Sequence, residues 1–316
     1  MRHRLPVPHA GFMATELQNL SNELAGAVER TAAGVVAVHA RPRINSSGIV
    51  WRQNLILTSS EGVRFEEGIK IVFADGRRAE ARLRGSDPGT DLALLETDTG
   101  NIQPFEFASD DHLKTGQLVL AVGRTAATGP IASFGIISGV SGEWKSWRSG
   151  KLDPFVRLDL SVYPTSSGGA AVDSSGGLIG LVSTGLSRTS VLAVTRRTVD
   201  RVAQKLLDHG YVGRGFLGVA LQPVALPQAL KEKLKLDQDT AIMLLGIEPN
   251  GPAASAGLIM GDILLQAGSS VISDAETLAT LLDHATIGES LNFRVLRAGT
   301  VQEVKVRIGE RPRKGK

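Results

Sequence analysis

The sequence predicts an all-β-dominated chain of two domains, on three observations. Glycine is abundant, 36 of 316 residues, about 11% against a usual ~7%. Aromatics are scarce at 4%, while short Val-, Ile- and Thr-rich runs recur between Gly, Asp and Ser, the pattern of many strands joined by tight turns. A chain of 316 residues also exceeds the roughly 250 beyond which a single core stops growing.

The elements follow in order. Residues 1–12 carry Pro, His and Arg without periodicity and read as a loose arm. From Met13, Leu17, Leu20, Leu24 and Val28 fall at helical spacing, which predicts one amphipathic helix of about 15–18 residues. Strand-like runs then follow at Ala32–His39, Gly48–Trp51, Leu55–Thr58, Ile69–Phe73, Arg78–Arg82, Leu92–Leu95, Leu118–Val122, Ser133–Ser138, Val156–Asp159, Ala170–Val172 and Leu178–Val182. Their close spacing indicates a barrel or sandwich and not alternating βαβ units. Residues 195–210 form a helix with Val199, Val202, Leu206 and Leu207 on its apolar face and Gly210 as C-cap. After a linker at Tyr211–Gly215, a second unit carries strands at Phe216–Leu221, Ala241–Ile247, Asp262–Ala267, Ser290–Arg297 and Val301–Ile308, with helices near Gln228–Leu234 and Ala275–His284.

Charge and composition exclude several functions. The formal charge is +3, and no dense basic stripe of the kind nucleic acid requires is present. No apolar run approaches the roughly 18–20 residues of a membrane span. There are no cysteines, which removes disulfides, thiolate catalysis and Cys-ligated zinc. His3, His9, His39, His112, His209 and His284 lack metal-ligand spacing; no metal and no cofactor is expected. The chain as given begins without the apolar core of a signal peptide, which by itself predicts a cytoplasmic protein.

One segment points to chemistry. In Pro164-Thr-Ser-Ser-Gly-Gly169 a Ser before two Gly precedes a strand, a setting that can present a hydroxyl beside approachable backbone N–H groups, as acyl transfer requires. Alone, Ser-Gly-Gly is ordinary turn sequence. Upstream, Asp91 opens the apolar run Leu92–Leu95, where a carboxylate is costly unless it is partnered.

With these segments in view the chain resembles the HtrA/Deg serine proteases, over roughly residues 17–309. Leu55–Val63 is similar to the family's strand and loop carrying the catalytic His, Asp87–Leu94 to its catalytic Asp segment, and Gly116–Gly123 and Ser133–Gly139 to second-barrel strands. Pro164–Gly169 stands where the family has Gly-Asn-Ser-Gly-Gly, and His209–Val219 resembles its junction into a PDZ domain. The resemblance implies a chymotrypsin-like double β-barrel (31–213) after an N-terminal arm and helix (1–30), then a PDZ domain (214–309) and a basic tail (310–316). It also implies a trimer supported by the N-terminal helix, and the cell envelope as compartment.

Carried over by residue, Ser167 is the nucleophile position and Asp91 the orienting carboxylate, while the base position holds Glu61 instead of His. An imidazole takes the hydroxyl proton and returns it; a carboxylate, with an ordinary pKa roughly two units lower, is a poor relay, and beside Asp91 it forms a like-charge pair. In the oxyanion loop of Thr165, Ser166 and Ser167, the family's Gly is Thr165. The expectation is a catalytically impaired protease homologue. An active endopeptidase with a Ser-Glu-Asp site stays open, as does a structural trimer whose PDZ groove binds nothing.

Ala241–Leu258 followed by Met260–Leu265 closely resembles the Deg PDZ domain. By resemblance Phe216, Leu217, Gly218 and Val219 form the loop that holds a peptide carboxylate, with Arg214 assisting, and the peptide adds as a strand beside Val219–Leu221. Leu278 and Leu282 are pocket-lining or core residues. The implied partners are peptides or unfolded-protein C-termini, bound for quality control or scaffolding.

Overall fold

The early strands close around a core of Val36, Val38, Ile56, Ile69, Ile71, Phe73 and Leu95. Ile69–Val72 and Arg78–Asp87 alternate buried and more exposed residues, whereas Val35–His39, Leu55–Ser59 and Leu92–Glu96 are nearly continuous buried runs. The computed structural model describes residues 10–42, 45–146, 150–284 and 287–311; the arm with His3 and His9, and the tail from 312, lie outside the described residues. A helix α1 (Ala10–Ala32) leads into β1 (Val35–His39), β2 (Ser46–Arg52), β3 (Leu55–Ser59), β4 (Ile69–Val72), β5 (Arg78–Asp87) and β6 (Leu92–Glu96). These six strands close into a barrel in the order β1-β2-β3-β6-β5-β4. At 23 residues, α1 is longer than its periodicity predicted.

A second barrel is built from β7 (Leu118–Thr125), β8 (Gly129–Ser141) and, after a small ladder of β9 (Trp144–Lys145) with β10 (Lys151–Leu152), from β11 (Phe155–Asp159), β12 (Ala170–Val172), β13 (Leu178–Ser183) and β14 (Val191–Thr195). It closes in the order β11-β14-β13-β12-β7-β8 around Val119, Ala121, Ile137, Val156, Val182 and Ala193. Between the barrels, Leu57, Leu94, Leu120, Val122 and Val194 share one cluster with Val199, Val202 and Leu206 of α2 (Arg196–His209). Gly210 adopts φ 78° and its N–H donates to the Leu206 carbonyl, the expected left-handed cap.

The chain divides into two compact units, Met1–Val212 and Gly213–Lys316. The second comprises β15 (Gly215–Phe216), β16 (Val219–Ala225), α3 (Gln228–Leu234), β17 (Thr240–Ile247), α4 (Pro252–Ser255), β18 (Ile263–Ala267), β19 (Ser270–Val271), α5 (Ala275–His284), β20 (Ser290–Arg297), β21 (Thr300–Arg307) and β22 (Gly309–Glu310). Its main sheet runs β16-β17-β18-β20-β21 over a core of Leu217, Ile242, Leu264, Leu278, Phe293 and Val306. The predicted strand Phe216–Leu221 is broken, because Gly218 sits at φ 74° and turns the chain between β15 and β16.

Candidate active site

The catalytic candidates meet where loops of the two barrels face each other. Just after β3, Ser60–Gly62 forms a 3-10 turn carrying Glu61. Asp91 immediately precedes β6 at φ 55°, a conformation Asp tolerates better than most residues. Pro164–Ser166 forms another 3-10 turn, which ends at Ser167. A cleft of about 200 Å³ is lined by Arg41, Asn45, Ser46, Ser59, Glu61, Gly62, Pro164, Ser167 and Thr184.

Asp91 is 3% exposed, and a carboxylate so placed needs donors. It has three. Ser59 Oγ donates to Oδ1 at 2.8 Å, the Glu61 amide to Oδ1 at 3.0 Å, and Ser183 Oγ to Oδ2 at 2.6 Å. Burial, the largest influence, still pushes the carboxyl above its ordinary range; the hydrogen bonds oppose this and the nearby Glu61 charge adds to it. Both carboxylates converge on Gly185, where a β-carbon would lie 2.4 Å from Glu61 Oε2 and 3.3 Å from Asp91 Oδ2. Glu61 itself is exposed.

Ser167 Oγ accepts a hydrogen bond from Thr184 Oγ1 at 3.2 Å. Among the described residues no imidazole lines this cleft: His39 lies in β1, His112 in a 3-10 turn, and His209 at the end of α2. In the loop before Ser167, its amide donates to the Pro164 carbonyl at 3.4 Å and the Ser166 amide to the Tyr163 carbonyl at 2.8 Å. The Thr165 carbonyl accepts from Ser47 Oγ at 2.6 Å, and Ser47 Oγ also receives the Arg124 amide at 2.9 Å. Among the described residues, Ser166 Oγ and Ser46 Oγ are buried and find no hydrogen-bond partner. Gly168, at φ 83°, admits no side chain: a β-carbon would lie 2.4 Å from the Ser47 carbonyl.

Sequence reasoning missed Ser59, Ser183 and Thr184. The available signal was a hydroxyl pair, Ser183-Thr184, directly after the apolar run Leu178–Val182, where the end of strand β13 brings Ser183 to Asp91 and Thr184 to the cleft.

In the second unit, Leu217 and Gly218 direct their carbonyls to the amides of Ala253 and Glu248. Among the described residues, no hydrogen bond takes up the N–H groups of Leu217 and Gly218, and an amide pair on a left-handed bend is an anion-binding concavity. Gly215 abuts the Leu282 carbonyl so closely that a β-carbon would sit 2.2 Å from it, which sets this loop against α5. Leu282 is half-buried, whereas Leu278 is 1% exposed and belongs to the core. The Arg214 carbonyl accepts from the Arg311 amide.

Fold and cleft together define a trypsin-like peptidase domain followed by a PDZ domain, and models of those two families match residues 46–181 and 215–308. The chain belongs to the HtrA/Deg family of serine proteases. It is 30% identical to the HtrA-type protease AlgW, solved with a tripeptide, at a TM-score of 0.71 over 92% of this chain and 98% of that one. The serine endoprotease from Yersinia pestis matches at 27% identity and a TM-score of 0.73, over 97% and 100% of the two chains. A probable periplasmic serine endoprotease, DegP-like, from Halomonas elongata is 29% identical over 277 residues, 86% of this chain and 57% of the relative. The chain thus spans a little over half the length of such curated relatives.

Proposed function

We propose that this chain is a proteolytically impaired member of its family that binds the C-termini of exposed or unfolded polypeptides through its PDZ domain. The observation that carries the reading is the partner of the Ser167 hydroxyl: a threonine hydroxyl, with a carboxylate at the position where the family places its imidazole. Acyl transfer needs an acceptor for the serine proton that later returns it to the leaving amine. Thr184 offers no base near neutrality, and Glu61 lacks the two-nitrogen geometry that lets an imidazole grip both Asp91 and Ser167. A second deficiency supports the first. The Ser167 amide is engaged by the Pro164 carbonyl, so a developing oxyanion would meet an amide already engaged and a lone pair, an arrangement whose cost is on the order of 10²–10³ in rate.

The test is active-site labelling. The wild-type protein is expected to show neither fluorophosphonate labelling at Ser167 nor casein cleavage at pH 7.5. Glu61→His is expected to raise labelling at least tenfold, and Glu61→His with Thr165→Gly a further 10²-fold or so. Wild-type labelling that disappears in Ser167→Ala would overturn the reading. The convergence of Glu61 and Asp91 on Gly185 favours one second reading, a Ser-Glu-Asp peptidase; it requires cleavage that rises between pH 7 and 4 and is lost in Glu61→Gln.

The PDZ arm rests on the unoccupied Leu217 and Gly218 amides and on the open edge of β16, which suit a terminal carboxylate followed by an extended strand. Peptides with a free C-terminus are expected to bind and their amidated counterparts to fail; equal binding of the two would sink this arm. The curated relative's name places that protein in the periplasm, and we assign this chain the same setting.

A further inference from the structure

We infer that the outer wall of the first barrel carries a binding site for a small phosphate monoester, in a pocket formed by β1, β4, β5 and the turn after β7. The site lies within the first unit and is independent of the peptide-binding reading. Strand register builds it. His39 of β1 stands opposite Lys70 of β4, and Ala37 opposite Val72. Lys70 in turn stands opposite Glu80 of β5, and Val72 opposite Arg78. Directly opposed residues share one face of a sheet, so His39, Lys70 and Glu80 form one row and Ala37, Val72 and Arg78 the next. Residues of the other parity, Val38, Ile69 and Ile71, fill the barrel core, which puts both rows on the outside. A pocket of about 420 Å³ opens there, lined by His39, Lys70, Val72, Arg78, Ala79 and Glu80, and by Ala126 from the turn.

The pocket gathers positive charge that the chain leaves uncompensated. Among the described residues neither Lys70 nor Arg78 forms an ion pair, although Glu80 stands opposite Lys70. Further along β5, by contrast, Arg82 meets Glu96 at 2.7 Å. Like charges opposed across a strand pair are destabilising, and His39 records this. Burial, the largest influence, holds its imidazole below the ordinary range; a hydrogen bond with Asn45 opposes the shift, and the Arg78 and Lys70 charges add to it. A bound anion would relieve all three groups at once. The donors suit phosphate: Arg78 offers a planar fork for two oxygens and Lys70 a point charge. Lys70 and Arg78 against the Glu80 carboxylate leave a net charge of +1, and +2 with His39 protonated, a better match to a dianion than to a single carboxylate. Val72, Ala79 and Ala126 supply apolar wall in a pocket roomier than a bare phosphate ion needs. The ligand therefore carries a compact apolar group beside its phosphate.

The experiment titrates the full chain with phenyl phosphate in a calorimeter at pH 7 and low salt, with inorganic phosphate and benzoate for comparison. One-to-one binding of phenyl phosphate is expected with a Kd of about 1 mM or tighter, with inorganic phosphate about threefold weaker or more and benzoate about tenfold weaker or more. Lys70→Gln with Arg78→Gln should abolish binding; both side chains are exposed, so circular dichroism should not change. A second arm needs no charge variant. The His39 ring, assigned in NMR spectra through His39→Gln, should show its pKa raised by about half a unit or more when phenyl phosphate is added. Binding that survives the double variant, or a His39 ring that does not respond, overturns the site. Benzoate as tight as phenyl phosphate overturns the phosphate assignment, and inorganic phosphate as tight overturns the apolar group. No saturable binding of phenyl phosphate up to about 10 mM overturns the whole inference.

Discussion

At the scale of single residues, Asp91 is held by geometry that removal of its charge would test. Asp91→Asn leaves the shape but replaces one acceptor of the Ser59, Ser183 and Glu61 donors, at a cost of about 1–2 kcal/mol. The acid side carries more information. A carboxyl held above its unfolded value, roughly 3.9, binds its proton more tightly in the folded chain. Its contribution to stability is therefore fully present below the unfolded pKa and is lost as pH rises through the folded one. Wild-type stability measured against Asp91→Asn by urea unfolding should rise as pH falls from 7 to 4; a gap that moves the other way would show that the three donors outweigh burial. The positions of Glu61, Asp91 and Ser167 were legible because each sits in a contiguous, ordered segment. Ser59, Ser183 and Thr184 were not, since hydroxyls are common and only the register of β3, β6 and β13 brings these three to one carboxylate or one serine.

At the scale of elements, Gly218 is the joint between β15 and β16. A β-carbon there would lie 3.2 Å from Glu248 Cβ and 3.3 Å from the Phe216 ring, at φ 74°, so Gly218→Ala combines crowding with a left-handed penalty of roughly 1–2 kcal/mol. We expect it to weaken C-terminal peptide binding at least tenfold in fluorescence polarisation, with the melting of the second unit lowered by only a few degrees; unchanged affinity would remove the loop from the binding reading. The same glycine explains why Phe216–Leu221, a single run in sequence, is two strands in the structure. Strand β14 escaped for the opposite reason: its Val191–Thr195 runs straight into α2 without a turn signal, and the helical periodicity that follows absorbed it. Strands Ala170–Val172 and Ser290–Arg297, and helices Gln228–Leu234 and Ala275–His284, matched their sequence limits because turn or capping residues flank them.

At the scale of the whole molecule, the division into two units makes local damage readable. Asp262, 1% exposed, accepts two bonds of 2.7 Å from Arg297 and one of 2.9 Å from the Ile259 amide. Burial acts upward on its carboxyl, but the Arg297 hydrogen bonds, the Ile259 amide and the Arg297 charge outweigh it, and the net pKa is lowered. This stabilisation is present above the unfolded pKa and disappears as pH falls through the folded one. Asp262→Ala takes away the partner of the Arg297 guanidinium and the acceptor of the Ile259 amide, and calorimetry should show one transition displaced downward and the other unmoved. Helix α1 leaves Leu17 and Leu20 exposed at 66% and 36%. We propose that this face assembles copies of the chain, so Leu17→Glu with Leu20→Glu should reduce the mass seen by light scattering; an unchanged mass would leave the helix without that role.

The Ser47 hydroxyl has a consequence for any attempt at repair. To aim the Thr165 N–H at a substrate, the Pro164–Thr165 peptide must turn over. The pyrrolidine ring stiffens the chain ahead of that pivot, and behind it the Thr165 carbonyl is tethered to Ser47, itself fastened to the barrel wall at Arg124. On the impaired reading proposed above, full restoration of cleavage therefore calls for a freed hinge in addition to a new imidazole.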